Sequence, residues 1–218
     1  MKLDVPIIYQ EKGSVHCGLA GLAMLFKYYD VPISFDKLKK EISVDKVGTY
    51  APQLGSYLIG KGFDVEITTM HPKLFTLADM DCSNEDVVKK LDLALSNEKI
   101  SDQDKKVIIY FKEFIQAGGS LHVHVPSLEE IKSEIDALRP FGALMTTNFL
   151  NREKPAFNFH FNIITGYDDT YIYANDPLVP EEGGGIKKYE HQSFFYGLYA
   201  STFGDLDNAC FIKLKKRS

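Results

Sequence analysis

Cys17 carries the sharpest chemical implication in the chain. From that position Leu22, Leu25, Phe26 and Tyr29 recur at helical spacing, with Ala20 and Ala23 between them and Pro32 as a stop. The thiol therefore falls in the first turn of a helix. A helix N-terminus holds partial positive charge and unpaired N–H groups. A thiol placed there ionises more readily, and the thiolate is the nucleophilic form. Gly18 follows at once, and a residue without a side chain would let a substrate backbone approach the sulfur. The competing reading is a small cysteine that only packs a core helix.

A nucleophilic cysteine needs a base, and the base needs an orienting group. His160 lies in an alternating stretch, on the face opposite Phe157, Phe159 and Phe161. Asp176 stands sixteen residues later in Asn175-Asp176-Pro177, at the end of a stretch that reads as the returning arm of a hairpin. Adjacent antiparallel strands bring such residues within hydrogen-bond reach. The aspartate would then hold the imidazole tautomer and stabilise the imidazolium. Gln10, seven residues before the cysteine, could lend an amide N–H to an oxyanion hole beside the Cys17 backbone N–H. Each also has a plain reading: a strand histidine, an Asp-Pro turn and a strand-end glutamine.

Other histidines suggest less. His122 and His124 share one face of a strand pattern, as two metal ligands can, with His16, His71 and His191 elsewhere. No cysteine or carboxylate cluster stands at ligand spacing, so no metal site is expected. Gly183-Gly184-Gly185 precedes a strand pattern rather than a helix and reads as a turn near the site, not a phosphate cradle. No cofactor is expected.

The ordered set of residues resembles the C39-like peptidase family, a bacteriocin-processing branch of the papain-like cysteine proteases. The matching positions are Gln10; Cys17-Gly18-Leu19-Ala20 with Leu22 and Met24; Arg139-Pro140 before an apolar stretch; His160 with Ile163, Ile164, Gly166, Tyr167 and Asp168; and Asn175-Asp176-Pro177. The resemblance implies a papain-like fold with Cys17 as nucleophile, His160 as base, Asp176 as orienting carboxylate and Gln10 at the oxyanion hole. Gly18, His16 and Asn175 become candidate substrate contacts. The implied reaction is cleavage of an amide bond through an acyl-thioester, on a peptide or acyl substrate. An acyltransferase with the same triad, or a peptide-binding module of the same fold, are the alternatives. The sequence departs from the family at His16, where an acidic residue is frequent, and in a helical insertion at about 79–120.

The elements that must position these groups are readable in outline. Residues 3–10 form a short strand or extended arm. Ser34 caps a helix through Phe35, Leu38 and Ile42, and another starts near Pro52 and stops by Gly60–Gly62. Phe63, Val65 and Ile67 alternate as a strand. Two helices occupy 83–118, the second capped by Ser101. A strand through Leu121, Val123 and Val125 follows. Ser127 and Glu130 form a capping box for a helix facing inward through Leu128, Ile131, Ile135 and Leu138. Strand patterns then cover 141–148, 157–164, 170–174 and 186–189, with 208–214 closing the sheet. Helices first and antiparallel strands later make an α+β fold, read as one domain over 1–218.

Composition narrows the setting. The net charge is −5, with basic residues clustered only at Lys213, Lys215, Lys216 and Arg217, so a nucleic-acid partner is not expected. No window nears the ~18 apolar residues of a membrane span. The N-terminal residues lack a signal-peptide pattern, and the three cysteines are too dispersed for a disulfide framework. The expected location is cytoplasmic, without membrane contact.

Overall fold

The computed structural model describes residues 1–151 and 159–217. The N-terminal residues run as an extended arm with one isolated bridge, Lys2 to Gly166. Leu3 and Val5 are buried. The arm is hydrogen-bonded by Leu3 N–H to the Thr165 carbonyl and by Gln10 N–H to the Pro177 carbonyl, at 2.7 and 2.8 Å. It leads into α1 (Cys17–Tyr28), then α2 (Phe35–Glu41) and α3 (Ala51–Gly60). The predicted caps are present: Ser34 Oγ accepts from Lys37 N–H, and Pro52 lies in the first turn of α3. Asp207, distant in sequence, accepts the Ala51 N–H at 2.7 Å and caps α3 from outside.

β1 (Phe63–Thr69) is followed by α4 (Asn84–Leu95), α5 (Asp102–Gln116) and β2 (Ser120–Val123). β2 runs parallel to β1, a pairing that requires a crossover, which the helices over 83–118 supply. The antiparallel expectation concerned the later strands; this earlier pair is parallel. Val125 lies outside the strand and is exposed. α5 packs on α3 where Phe114 fills the space over Gly55 and Gly119; a methyl group on either glycine would collide with its ring.

α6 (Leu128–Asp136) carries the expected capping box, and Ile131 and Ile135 are buried. Leu138 corrects the sequence reading. It follows the helix end at φ 60, is 56% exposed and donates its N–H back to the Ile135 carbonyl. β3 (Phe141–Thr146), β4 (Phe159–Tyr167), β5 (Tyr171–Asp176) and β6 (Gly185–Glu190) come next. Phe157 and Asn158, expected in the same strand as His160, lie outside the described residues. α7 (His191–Ala200) was not anticipated: its run of Phe and Tyr favours strand on propensity. It still has Phe194 and Leu198 four apart and buried, and Gly197 lets it sit close on the Thr146 carbonyl.

β7 (Cys210–Lys216) completes a seven-stranded sheet in the order β2-β1-β7-β3-β4-β5-β6. The last strand was expected to close the sheet. It lies between β1 and β3, antiparallel to both, and all but its last two residues are buried. α1 packs over Phe161 and Ile163 of β4, with Gly18 and Gly21 at the contact. The α+β expectation is met. Among the described residues no helix is long and apolar enough to cross a membrane.

Candidate active site

Cys17 is the first residue of α1, as its spacing predicted. His16 holds the N-cap position without a side-chain cap, which leaves the first-turn amides unclaimed by any cap side chain. Burial raises the Cys17 pKa, but the His160 imidazole, by charge and by hydrogen bond, outweighs it together with the Phe161 and Gly18 N–H groups. The net pKa lies below the usual thiol value.

His160 stands near the start of β4 and is 3% exposed. Its Nε2 meets Asp176 Oδ1 at 2.7 Å, which leaves Nδ1 as the ring nitrogen for the sulfur. Burial alone would lower its pKa. The Cys17 charge and the Asp176 hydrogen bond overcome that and bring it to about 10. Both shifts favour a thiolate–imidazolium pair over a neutral thiol and imidazole.

The β-sheet register explains the meeting. β5 pairs Asn175 with Ile163 and ends at Asp176. β4 therefore extends past the end of β5, and His160 sits on that overhang. Pro177 follows and cannot extend the strand's ladder. The Leu178 N–H turns back onto Asp176 Oδ1 at 2.9 Å, so one carboxylate oxygen serves both the ring and the turn. Asp176 is fully buried.

Gln10 is brought to the same end of the sheet by its backbone bond to Pro177. Its side chain is 4% exposed, and Nε2 donates to the Ser14 carbonyl at 2.6 Å. An amide nitrogen has two hydrogens. One is held by Ser14, which fixes the orientation, and one remains.

Two expected substrate contacts have other roles. Gly18 is buried, and a Cβ there would overlap Thr49 Oγ1 and lie 2.8 Å from a Leu54 methyl carbon. Its missing side chain lets α1 pack against Thr49 and Leu54. Asn175 is 2% exposed and donates Nδ2 to the Val5 carbonyl at 2.8 Å, so it ties the arm to β5. His16 is half-buried; its Nδ1 lies 2.9 Å from Glu11 Oε2. Glu11 is itself drawn down to about 2 by Lys39 and then His16.

The sequence reading missed the backbone donors at Phe161 and Leu178 and the arm's bond to Pro177. No residue type signals a main-chain N–H, so only the strand pattern could have pointed there. The remaining histidines stay apart from the site. His71 is buried, with burial and then Lys73 holding it down to about 4, and its Nδ1 accepts the Lys73 N–H. Among the described residues no group of three or more His, Cys, Asp or Glu side chains is arranged to hold a metal.

Comparison with known proteins identifies the fold and the family. No curated protein sequence matches the chain. Two solved structures share its fold at low identity. One is a double glycine motif protease from an AMS/PCAT transporter, solved in complex with the leader peptide: 15% identity, 99% of this chain and 94% of that chain, TM-score 0.51. The other is the peptidase domain of Streptococcus ComA, a bi-functional ABC transporter involved in a quorum sensing pathway: 14% identity, 98% and 99% coverage, TM-score 0.52. The fold is thus that of C39 papain-like peptidase domains. The family model described as Peptidase_C39 like matches residues 2–204, and the chain belongs to that family.

Proposed function

We propose that this protein is a cysteine peptidase or amidohydrolase that cleaves an amide bond through an acyl-thioester on Cys17. The observation that carries the reading is the continuous line of contacts from a helix-start thiol through His160 to a buried Asp176. Family membership supports a cysteine peptidase. A peptide substrate is supported by a fold relative solved with a leader peptide.

The proposed steps use these groups in turn. The Cys17 thiolate adds to the carbonyl carbon, and the carbonyl oxygen becomes an oxyanion. The Cys17 backbone N–H and the free Nε2 hydrogen of Gln10 are the donors for it. One such donor lowers a barrier by ~3 kcal/mol. The His160 imidazolium, held edge-on by Asp176, protonates the leaving amine as the tetrahedral intermediate collapses to the thioester. His160 then takes a proton from water, which attacks the thioester and releases the acid. Burial of the Asp176 carboxylate keeps the imidazole tautomer fixed through both halves.

The test is alkylation by iodoacetamide at neutral pH, with sites assigned by peptide mapping. Cys17 is expected to react much faster than Cys82, whose pKa is raised by burial, and His160→Ala should remove the difference. Equal rates at the two cysteines would refute the reading. Intact mass of the enzyme with substrate would then show acyl-Cys17. Discharge faster by amines than by water would favour acyl transfer over hydrolysis.

A further inference from the structure

Beside the proposed catalytic line lies a cavity of about 540 Å³, bounded by Gln10, Gly13, Ser14, Leu178, Glu181 and Glu182. It adjoins the proposed site on two sides. Gln10 is the proposed oxyanion donor, and Leu178 is the residue whose N–H binds Asp176.

The walls are rich in acceptors. Glu182 Oε1 accepts the Gly13 N–H at 3.0 Å and so straps one wall to the other. Its Oε2 is buried without a partner among the described residues. Gln10 Oε1 and Ser14 Oγ are buried without partners there too. Three orphaned polar atoms thus belong to residues around one cavity, and two of them can only accept. Glu181 stands exposed at its edge. No described cation forms an ion pair with Glu181 or Glu182. Lys12, next to Gly13 in sequence, is exposed and pairs with neither, and nor do Lys187 and Lys188.

Buried acceptors without donors are costly, and buried carboxylate oxygens more so. A ligand that brings several N–H donors and a positive charge offsets both costs at once. We propose that this cleft receives a cationic side chain of the peptide substrate, lysine or arginine, bound between Gln10 Oε1 and the Glu181–Glu182 carboxylates. The inference rests on the peptidase reading for the identity of the ligand as part of a substrate. Within the cleft the Gln10 carboxamide is used at both ends: nitrogen toward the oxyanion, oxygen toward the cation.

Three methanethiosulfonate reagents test it: aminoethyl (cationic), ethyl (neutral) and sulfonatoethyl (anionic). Labelling of Cys17 is followed by intact mass and peptide mapping at 0.15 M salt, where charges beyond roughly 8 Å are screened. Each charged reagent's rate is referred to the neutral reagent in the same protein. In the native chain the cationic-to-anionic ratio should be on the order of tenfold or more. In Glu181→Gln/Glu182→Gln, which keeps an acceptor for Gly13, the ratio should fall toward one. A ratio near one in the native chain overturns the proposal. So does a preference that survives in the double variant, since it would then reflect the overall negative charge. Failure of the peptidase reading looks different: the neutral reagent would label Cys17 no faster than Cys82 and would ignore His160→Ala.

Discussion

Two regions of the sheet present histidines beside carboxylates, and only one of them belongs to the proposed active site. On β2, His122 lies 3.8 Å from Glu66, and just past the strand's end His124 lies 3.1 Å from Glu130. His122 is exposed and His124 half-buried. Lys213 already holds both glutamates, at 3.2 and 3.1 Å, and Thr68 donates to Glu130 as well. On β4, His160 meets Asp176 at 2.7 Å with both side chains buried, and no lysine or arginine competes for that carboxylate among the described residues. Residue types are alike in the two places, an imidazole beside a carboxylate. Exclusion of water and the count of competing cations differ. A carboxylate matched by Lys213 has little left to impose on an imidazole, and exposed pairs are weak in any case. A buried aspartate whose partners are one ring and one turn amide controls that ring's tautomer and charge.

This contrast can be broken first by activity. Asp176→Asn should lower the rate of Cys17 acylation or turnover by roughly a thousandfold or more, through the wrong tautomer. Glu130→Gln should leave the rate within a factor of about two. A fully active Asp176→Asn variant would place the two histidine pairs on the same footing.

Stability should separate them next. Removing one member of a buried ion pair strands the other, so Asp176→Ala should cost about 3 kcal/mol in denaturant unfolding. His124→Ala should cost less than about 1 kcal/mol, and added salt should shrink that further. The raised pKa of His160 gives the buried pair a pH signature. Its contribution is fully present below the unfolded histidine value of 6.5 and is lost as pH rises through about 10. Asp176→Asn should show a smaller alkaline decline, since the Cys17 charge still raises the ring while the carboxylate's share is gone. A decline of the same size in both proteins would detach it from this pair.

The finest distinction is the pH dependence of alkylation. The Cys17 pKa is lowered and that of Cys82 raised. The Cys82 rate should climb about tenfold per pH unit through the neutral range, while the Cys17 rate changes much less. Parallel slopes would mean that His160 does not hold Cys17 as thiolate.

Much of this site is legible in the sequence, and the limits are instructive. The helix after Cys17 follows from its 3.6-residue period and Pro32, and the N-terminal placement of the thiol comes with it. His160 and Asp176 are recognisable as types on neighbouring strands, because hairpin partners are close in sequence. Gly18 and Asn175 were misjudged. Their true partners, Thr49 and Leu54 for one and Val5 for the other, are more than thirty residues away.

What the sequence determined by itself is local: which segments turn into helices, where they are capped, and that a thiol opens one of them. Period, capping residues and backbone propensity act over a few neighbours and need no other part of the chain. The tertiary structure alone decided that β7 enters the middle of the sheet, that β4 overhangs β5 by enough to present His160, and that the arm carries Gln10 to Pro177. Those outcomes depend on which distant surfaces bury one another, a sum over the whole core that no local pattern contains.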